Sequence, residues 1–141
     1  METIGKYSLN IYNKTMAAGR YSFTIEQGAT LNLELQYKDS NSNPINLTGY
    51  NGKMQIRPSV GSDTVYLTLS SSLNADGTGL NFSGSSGLNP PTSGTIAIYV
   101  SAATSSALTF DNAVYDLEIG SGAMVTRLLE GQVKLSKEVT R

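Results

Sequence analysis

Val114-Tyr-Asp-Leu-Glu-Ile119, then Gly120-Ser-Gly-Ala123, then Met124-Val-Thr-Arg-Leu-Leu-Glu-Gly-Gln-Val-Lys-Leu135, running on to Arg141, is the stretch that decides the fold. Tyr115, Leu117 and Ile119 alternate with Val114, Asp116 and Glu118, the period of two expected of a strand with one buried face. Gly120-Ser121-Gly122-Ala123 tolerates φ > 0, so the chain reverses there and pairs with the residues from Met124 onward. The return strand is long. Gly131 inside it predicts a bulge or bend, beyond which Val133 and Leu135 resume the alternation. The stretch predicts the closing hairpin of an antiparallel sheet.

Working outward, the same alternation recurs. Tyr21, Phe23 and Ile25 alternate with polar residues up to Gln27-Gly28, and Leu31, Leu33, Leu35 and Tyr37 do so up to a polar turn ending at Pro44. Met54 and Ile56 face inward in the next strand, then Val65, Leu67 and Leu69, then a short Leu80–Phe82, then Ile96, Ile98 and Val100. Residues 101–108 begin with Ser101, an N-cap residue type, and predict one or two helical turns. Spacings near ten residues predict an all-β, immunoglobulin-like antiparallel β-sandwich of seven to nine strands with one short helical turn. Tyr115, after that turn, suits either a tyrosine corner, its hydroxyl bound to upstream backbone, or simple packing at the rim.

The composition narrows the function. A chain of 141 residues fits one domain that buries roughly 68% of its unfolded surface, so no staple is required. It has neither cysteine nor histidine, which removes thiol catalysis, imidazole acid–base work and the common zinc ligand sets. Ten basic and eleven acidic residues give a net charge of −1 with no basic run, against nucleic acid as a partner. Apolar runs are too short to span a membrane, and the N-terminus has no signal-peptide h-region. Asn-x-Ser/Thr triplets at Asn13, Asn46 and Asn81 read as chance in a chain rich in these residues.

No constellation in the sequence points to catalysis, and no cofactor or metal site is expected. Asp116, Glu118 and Glu130 fall on the outer face of the closing hairpin, with Arg127 as cross-strand salt partner; a flat solvated face lacks the cleft that paired carboxylates need for glycoside hydrolysis. Asn74-Ala-Asp76-Gly-Thr-Gly79 lacks the spaced carboxylates and terminal glutamate of a calcium loop, and reads as a turn. The serines have no histidine to activate them. The chain reads as a non-enzymatic binding protein.

Contacts with partners are expected from three places. Tyr7, Leu9 and Ile11, with Tyr12, form a short strand pattern inside residues 1–19, which suits either an ordinary first strand or an arm that adds a strand to a neighbouring subunit. The loop 58–64 offers Ser59 and Val60, and the loop 83–94 offers Ser85, Leu88, Pro90 and Pro91. Residues 1–19 are thus an N-terminal arm, and 20–141 the sandwich domain.

A set of phrases carries a family resemblance. It comprises Phe23-Thr-Ile-Glu-Gln-Gly-Ala-Thr30, Lys38-Asp-Ser40 with Pro44-Ile-Asn-Leu-Thr-Gly-Tyr50, and Met54-Gln-Ile-Arg57. The closing phrases are Val114-Tyr-Asp-Leu-Glu118, Val125-Thr-Arg-Leu-Leu-Glu-Gly131 and Glu138-Val-Thr-Arg141. Over about residues 20–141 the set resembles small virion structural proteins of tailed bacteriophages, and is similar to the N-terminal domain of the phage baseplate upper protein family. The resemblance implies an immunoglobulin-like sandwich used as an adaptor at the tail or baseplate. Such a protein assembles in the host cytoplasm into the virion, in multiple copies or as a homo-oligomer, and holds fibres or other virion proteins. That family continues into a long C-terminal part whereas this chain stops at Arg141, so a capsid decoration or head–tail joint protein is the alternative. From another class, a carbohydrate-binding module for host glycans would stack sugars on outward-facing Tyr66 and Tyr99.

Overall fold

The computed structural model describes the backbone of residues 6–12 and all of residues 18–140. In chain order the strands are β1 (Lys6–Tyr12), β2 (Gly19–Arg20), β3 (Phe23–Glu26), β4 (Leu31–Lys38), β5 (Asn51–Arg57), β6 (Leu67–Ser70), β7 (Gly79–Asn81) and β8 (Thr95–Val100). The helix α1 (Ala102–Ser106) follows, and β9 (Asn112–Ser121) with β10 (Met124–Ser136) closes the chain. Nine strands have three residues or more, β2 being the two-residue exception.

Each alternating stretch buries one face, as a period of two requires. In β4 the apolar residues are buried and the polar ones half-buried, and β9 repeats this over Ala113 to Ile119. The strands form two sheets, ordered β1-β4-β8-β7 and β2-β10-β9-β5-β6, with β3 also on β10. Leu33, Leu35, Ile96 and Ile98 from the first pack with Met54, Ile56, Leu117 and Ile119 from the second in one core. Twelve large side chains are fully buried among the described residues. At roughly 1.5–3 kcal/mol each, that burial explains how a chain without cysteine holds together.

The expectation of an antiparallel sandwich holds for most of the pairing, with a correction at one flank. β1 lies parallel to β4, and β2 and β3 lie parallel to β10. The chain passes from β1 in one sheet to β2 and β3 in the other, then returns as β4 beside β1. A parallel pair needs such a crossover, because a tight turn reverses the chain. On the opposite flank β6 and β7 come together, where a Cβ on Gly79 would sit 2.6 Å from the Ser70 carbonyl oxygen.

The closing hairpin forms as expected, with Gly122-Ala123 between the paired Ser121 and Met124 and Gly122 at φ 62°. Its bulge is not at Gly131. The register shifts between Arg127 and Leu129, so Leu128 is the extra residue, and both Leu128 and Leu129 turn inward. Gly131 has another reason to be glycine: a Cβ there would overlap the Tyr21 carbonyl oxygen and press on the Tyr115 ring at 3.3 Å. Tyr115, directly across from Gly131, donates its hydroxyl to that same carbonyl at 2.5 Å. The tie to upstream backbone is real, but it reaches the link between β2 and β3 rather than the residues just before it. Burial first, then the proximity of Tyr21 and Glu130, pushes this phenol well above the ordinary tyrosine range.

Candidate functional site

The outer face of the second sheet is concave. Polar side chains of β5 (Lys53, Gln55, Arg57), β9 (Asp116, Glu118) and β10 (Glu130, Gln132) form its floor. Arg20, Tyr21 and Ser22 rise along one side and the turn carrying Ser59 and Val60 along the other, enclosing a groove of about 870 Å³. A second hollow of about 520 Å³ shares Ser22, Val114 and Gln132 with it and continues toward Thr24 and Lys134. The flat face expected from the sequence is therefore corrected: sheet twist and the overhanging turn make it a trough.

The expected pairing of Arg127 with the acids is found. Asp116 and Glu130 are cross-strand partners, two like charges face to face, and Arg127 spans both at 3.4 and 3.6 Å. The Leu128 bulge sets Arg127 diagonal to this pair. Arg20 adds a second cation to Glu130 at 3.4 Å. All four groups keep access to solvent, so these pairs stabilise the fold by about 1 kcal/mol or less each. Arg57 donates to the Ser62 carbonyl at 2.6 Å and to Gln55 at 2.8 Å, and so holds the overhanging turn in place.

The two loops expected to make contacts lie at opposite ends. β4 runs toward residues 39–50, β8 starts beside its far end, and β5 starts opposite the end of β9. Residues 39–50, 83–94 and the hairpin tip thus share one end, while 58–64 lies at the other with α1. Val60 is 92% and Leu88 86% exposed, apolar side chains presented to water. Met124 and Val125 beside the hairpin tip, at 76% and 65%, extend the apolar surface at the Leu88 end and were not singled out from sequence.

Other expected contact residues have structural work. Ser85 donates its backbone N–H and hydroxyl to Glu34 at 2.9 and 2.7 Å. Pro91 opens a 3-10 turn, and its carbonyl accepts from Leu47 at 2.9 Å. Ser59 accepts from Ser62 through its carbonyl, and Pro90 does so from Ser93. The side chains of Tyr7, Leu9, Ile11 and Tyr12 lie outside the described residues. Their backbone forms β1, in register with Leu33, Leu35, Tyr37 and Lys38. Tyr66 and Tyr99 do not form a sugar platform: Tyr66, just before β6 of the second sheet, stacks on Phe110 at 4.8 Å, whereas Tyr99 lies on β8 of the first.

The ionisable groups with displaced pKa are accounted for by structure. Asp76 accepts from the Ser101 hydroxyl at 2.6 Å, the Thr78 N–H at 2.9 Å and the Thr104 hydroxyl at 3.1 Å, with Ser101 itself capping α1. These bonds, the one from Ser101 foremost, hold its carboxyl well below the usual range. The turn reading of Asn74–Gly79 is thereby explained: its one carboxylate staples the turn to the helix start. Tyr37 is raised by burial and by Tyr50, and Tyr115 serves the Tyr21 clasp. No cluster of histidine, cysteine and carboxylate side chains suited to a metal ion occurs among the described residues.

No family model and no curated protein matches this chain. Among solved structures it is similar to one described as the N-terminal domain of phage TP901-1 ORF48. That likeness has a TM-score of 0.49 and 9% sequence identity, and covers 94% of this chain and 99% of that one.

Proposed function

We propose that this chain is a non-enzymatic structural protein of a tailed-phage particle, an immunoglobulin-like adaptor at the tail or baseplate that assembles in several copies. The observation that carries the reading is the open flank. β1 at the edge of one sheet and β3 at the edge of the other each pair on one side only among the described residues, as β6 and β7 do on the opposite flank, where those two strands lie against each other. Unpaired strand edges offer rows of N–H and C=O groups to another chain, and proteins that do not use them cover or charge them. The set of phrases from Phe23 to Arg141 that resembles phage virion proteins gives the class of assembly. Its Gln27 side chain binds the Leu108 carbonyl at 2.7 Å and the Glu138 N–H at 2.9 Å, and the Gly28 N–H binds Ser105 at 3.0 Å. Those phrases therefore build the sandwich rather than a catalytic centre.

The immunoglobulin-like assignment is supported by β10-β9-β5 facing β4-β8-β7, and by an early strand running along the last one. Mapping the protein in purified virions by cryo-electron microscopy tests the function. Density at the tail or baseplate, in copy numbers that are multiples of its symmetry, is expected. Density spread over the capsid lattice replaces the adaptor with a decoration protein, and absence from the particle overturns both.

A further inference from the structure

We propose that β1 is an exchanged strand, lying in the assembled protein on β4 of a second copy in the register seen here within one chain. This rests on the reading of the chain as a multi-copy adaptor and names its first partner: another copy of this chain.

Three features of the flank lead there. The first is connectivity. β9 and β10 are locked in register by a two-residue turn, but β1 is followed by strands of the opposite sheet, so no tight turn obliges it to pair with its own β4. The second is the specificity of the slot. At the positions opposite Tyr7, Leu9 and Ile11, β4 places Leu33, Leu35 and Tyr37, all buried; opposite Ser8 and Asn10 it places Glu34 and Gln36. A slip of one residue would set the apolar positions of the arm against the polar positions of β4, so any copy of the arm fits in one register. The third is that the chain after β1 is fastened independently. Tyr21 donates its N–H to Glu130 at 2.9 Å and accepts the Tyr115 hydroxyl, Ser22 accepts from Gln132 at 3.1 Å, and Gln27 donates to Ser136 at 2.9 Å. The body of the sandwich therefore stays closed when the arm leaves. Exchange reproduces the same ladder hydrogen bonds between chains, the low-cost route to an oligomer.

The absence of cysteine makes the test clean. Asn10 and Gln36 are register partners on β1 and β4. The full chain carrying Asn10→Cys and Gln36→Cys is folded over a range of protein concentrations, oxidised, and read by non-reducing gel and by mass spectrometry of the cross-linked peptides. Covalent dimers or larger species joined 10-to-36, increasing with concentration, are expected. Separate Asn10→Cys and Gln36→Cys proteins, folded together, should give the same hetero-linked peptide, which no intrachain arrangement produces. A cross-link confined to single chains at every concentration overturns the exchange, yet leaves the adaptor reading to the virion map. Failure to form the 10-to-36 link in either format overturns it as well, because the arm then does not occupy β4.

Discussion

Two edges on the same flank are held in different ways. β2 and β3 lie along β10 with their backbone pairing reinforced by the Tyr115 hydroxyl, the Ser22 hydroxyl and the Gln27 amide, and with Gly131 making room for the crossing chain. β1 lies along β4 through a seven-residue parallel ladder. The difference teaches what makes an edge strand the property of its own chain. A backbone ladder is made of groups that every copy carries, so it specifies a register without specifying whose strand fills it. A clasp of side chains adds contacts that must break before the segment can leave, and so raises the cost of detaching a strand from its own domain. The far edge of the first sheet follows the second pattern, since beside β7 the Asp76 carboxylate is bound by Ser101 and Thr104 at the start of α1.

The contrast breaks most visibly at Gly131. Gly131→Ala drives a Cβ into the Tyr21 carbonyl, which is already held by Tyr115. The expected cost is about 3 kcal/mol, a fall in Tm on the order of 10 °C by calorimetry. A change of a degree or less would mean that the crossing chain is loosely seated. Removing residues 1–15 should have a smaller effect on the fold. The truncated chain is expected to unfold cooperatively, with a lower Tm than the full chain but a smaller loss than Gly131→Ala causes, while incorporation into particles drops. If it fails to fold, β1 is an integral first strand and the contrast between the edges disappears.

Smaller still is Tyr115→Phe, which keeps the ring and removes one hydrogen bond to the Tyr21 carbonyl. A loss of about 1–2 kcal/mol in urea unfolding is expected. The clearest pH signature belongs to Asp76. Its carboxyl is held below the unfolded value of 3.8, so its contribution is present above that pH and is lost as pH falls below it. Asp76→Asn should therefore lower stability at neutral pH and flatten the acid limb of a stability–pH curve, without altering the slope of its alkaline side. An unchanged acid limb would remove the staple from the account of the β7 edge.

Reading the residues alone located most of the strands, because a one-sided sheet writes its burial into every second position. Leu31 to Tyr37 and Tyr115 to Ile119 are the plainest cases, and the Ser101 cap of α1 followed from the preference of helix starts for a hydroxyl. Other features were not legible. The outer groove depends on sheet twist and on Arg57 reaching Ser62; Gly131 carries no mark distinguishing a bulge from a crossing; and of Tyr66 and Tyr99, equally plausible as surface aromatics, one precedes β6 of the second sheet and the other lies on β8 of the first.

By itself, then, the sequence determined the period of the strands, the turns between them, the placement of apolar residues into one core and the absence of thiol and imidazole chemistry. Those are local properties, set by side-chain type and spacing of two along the chain. Only the tertiary structure decided which strands became parallel neighbours, where a carbonyl met a glycine, and which edges were left open. Each of these joins residues far apart in sequence, as Tyr21 and Tyr115 are, and no local pattern encodes a meeting that depends on how two sheets stack.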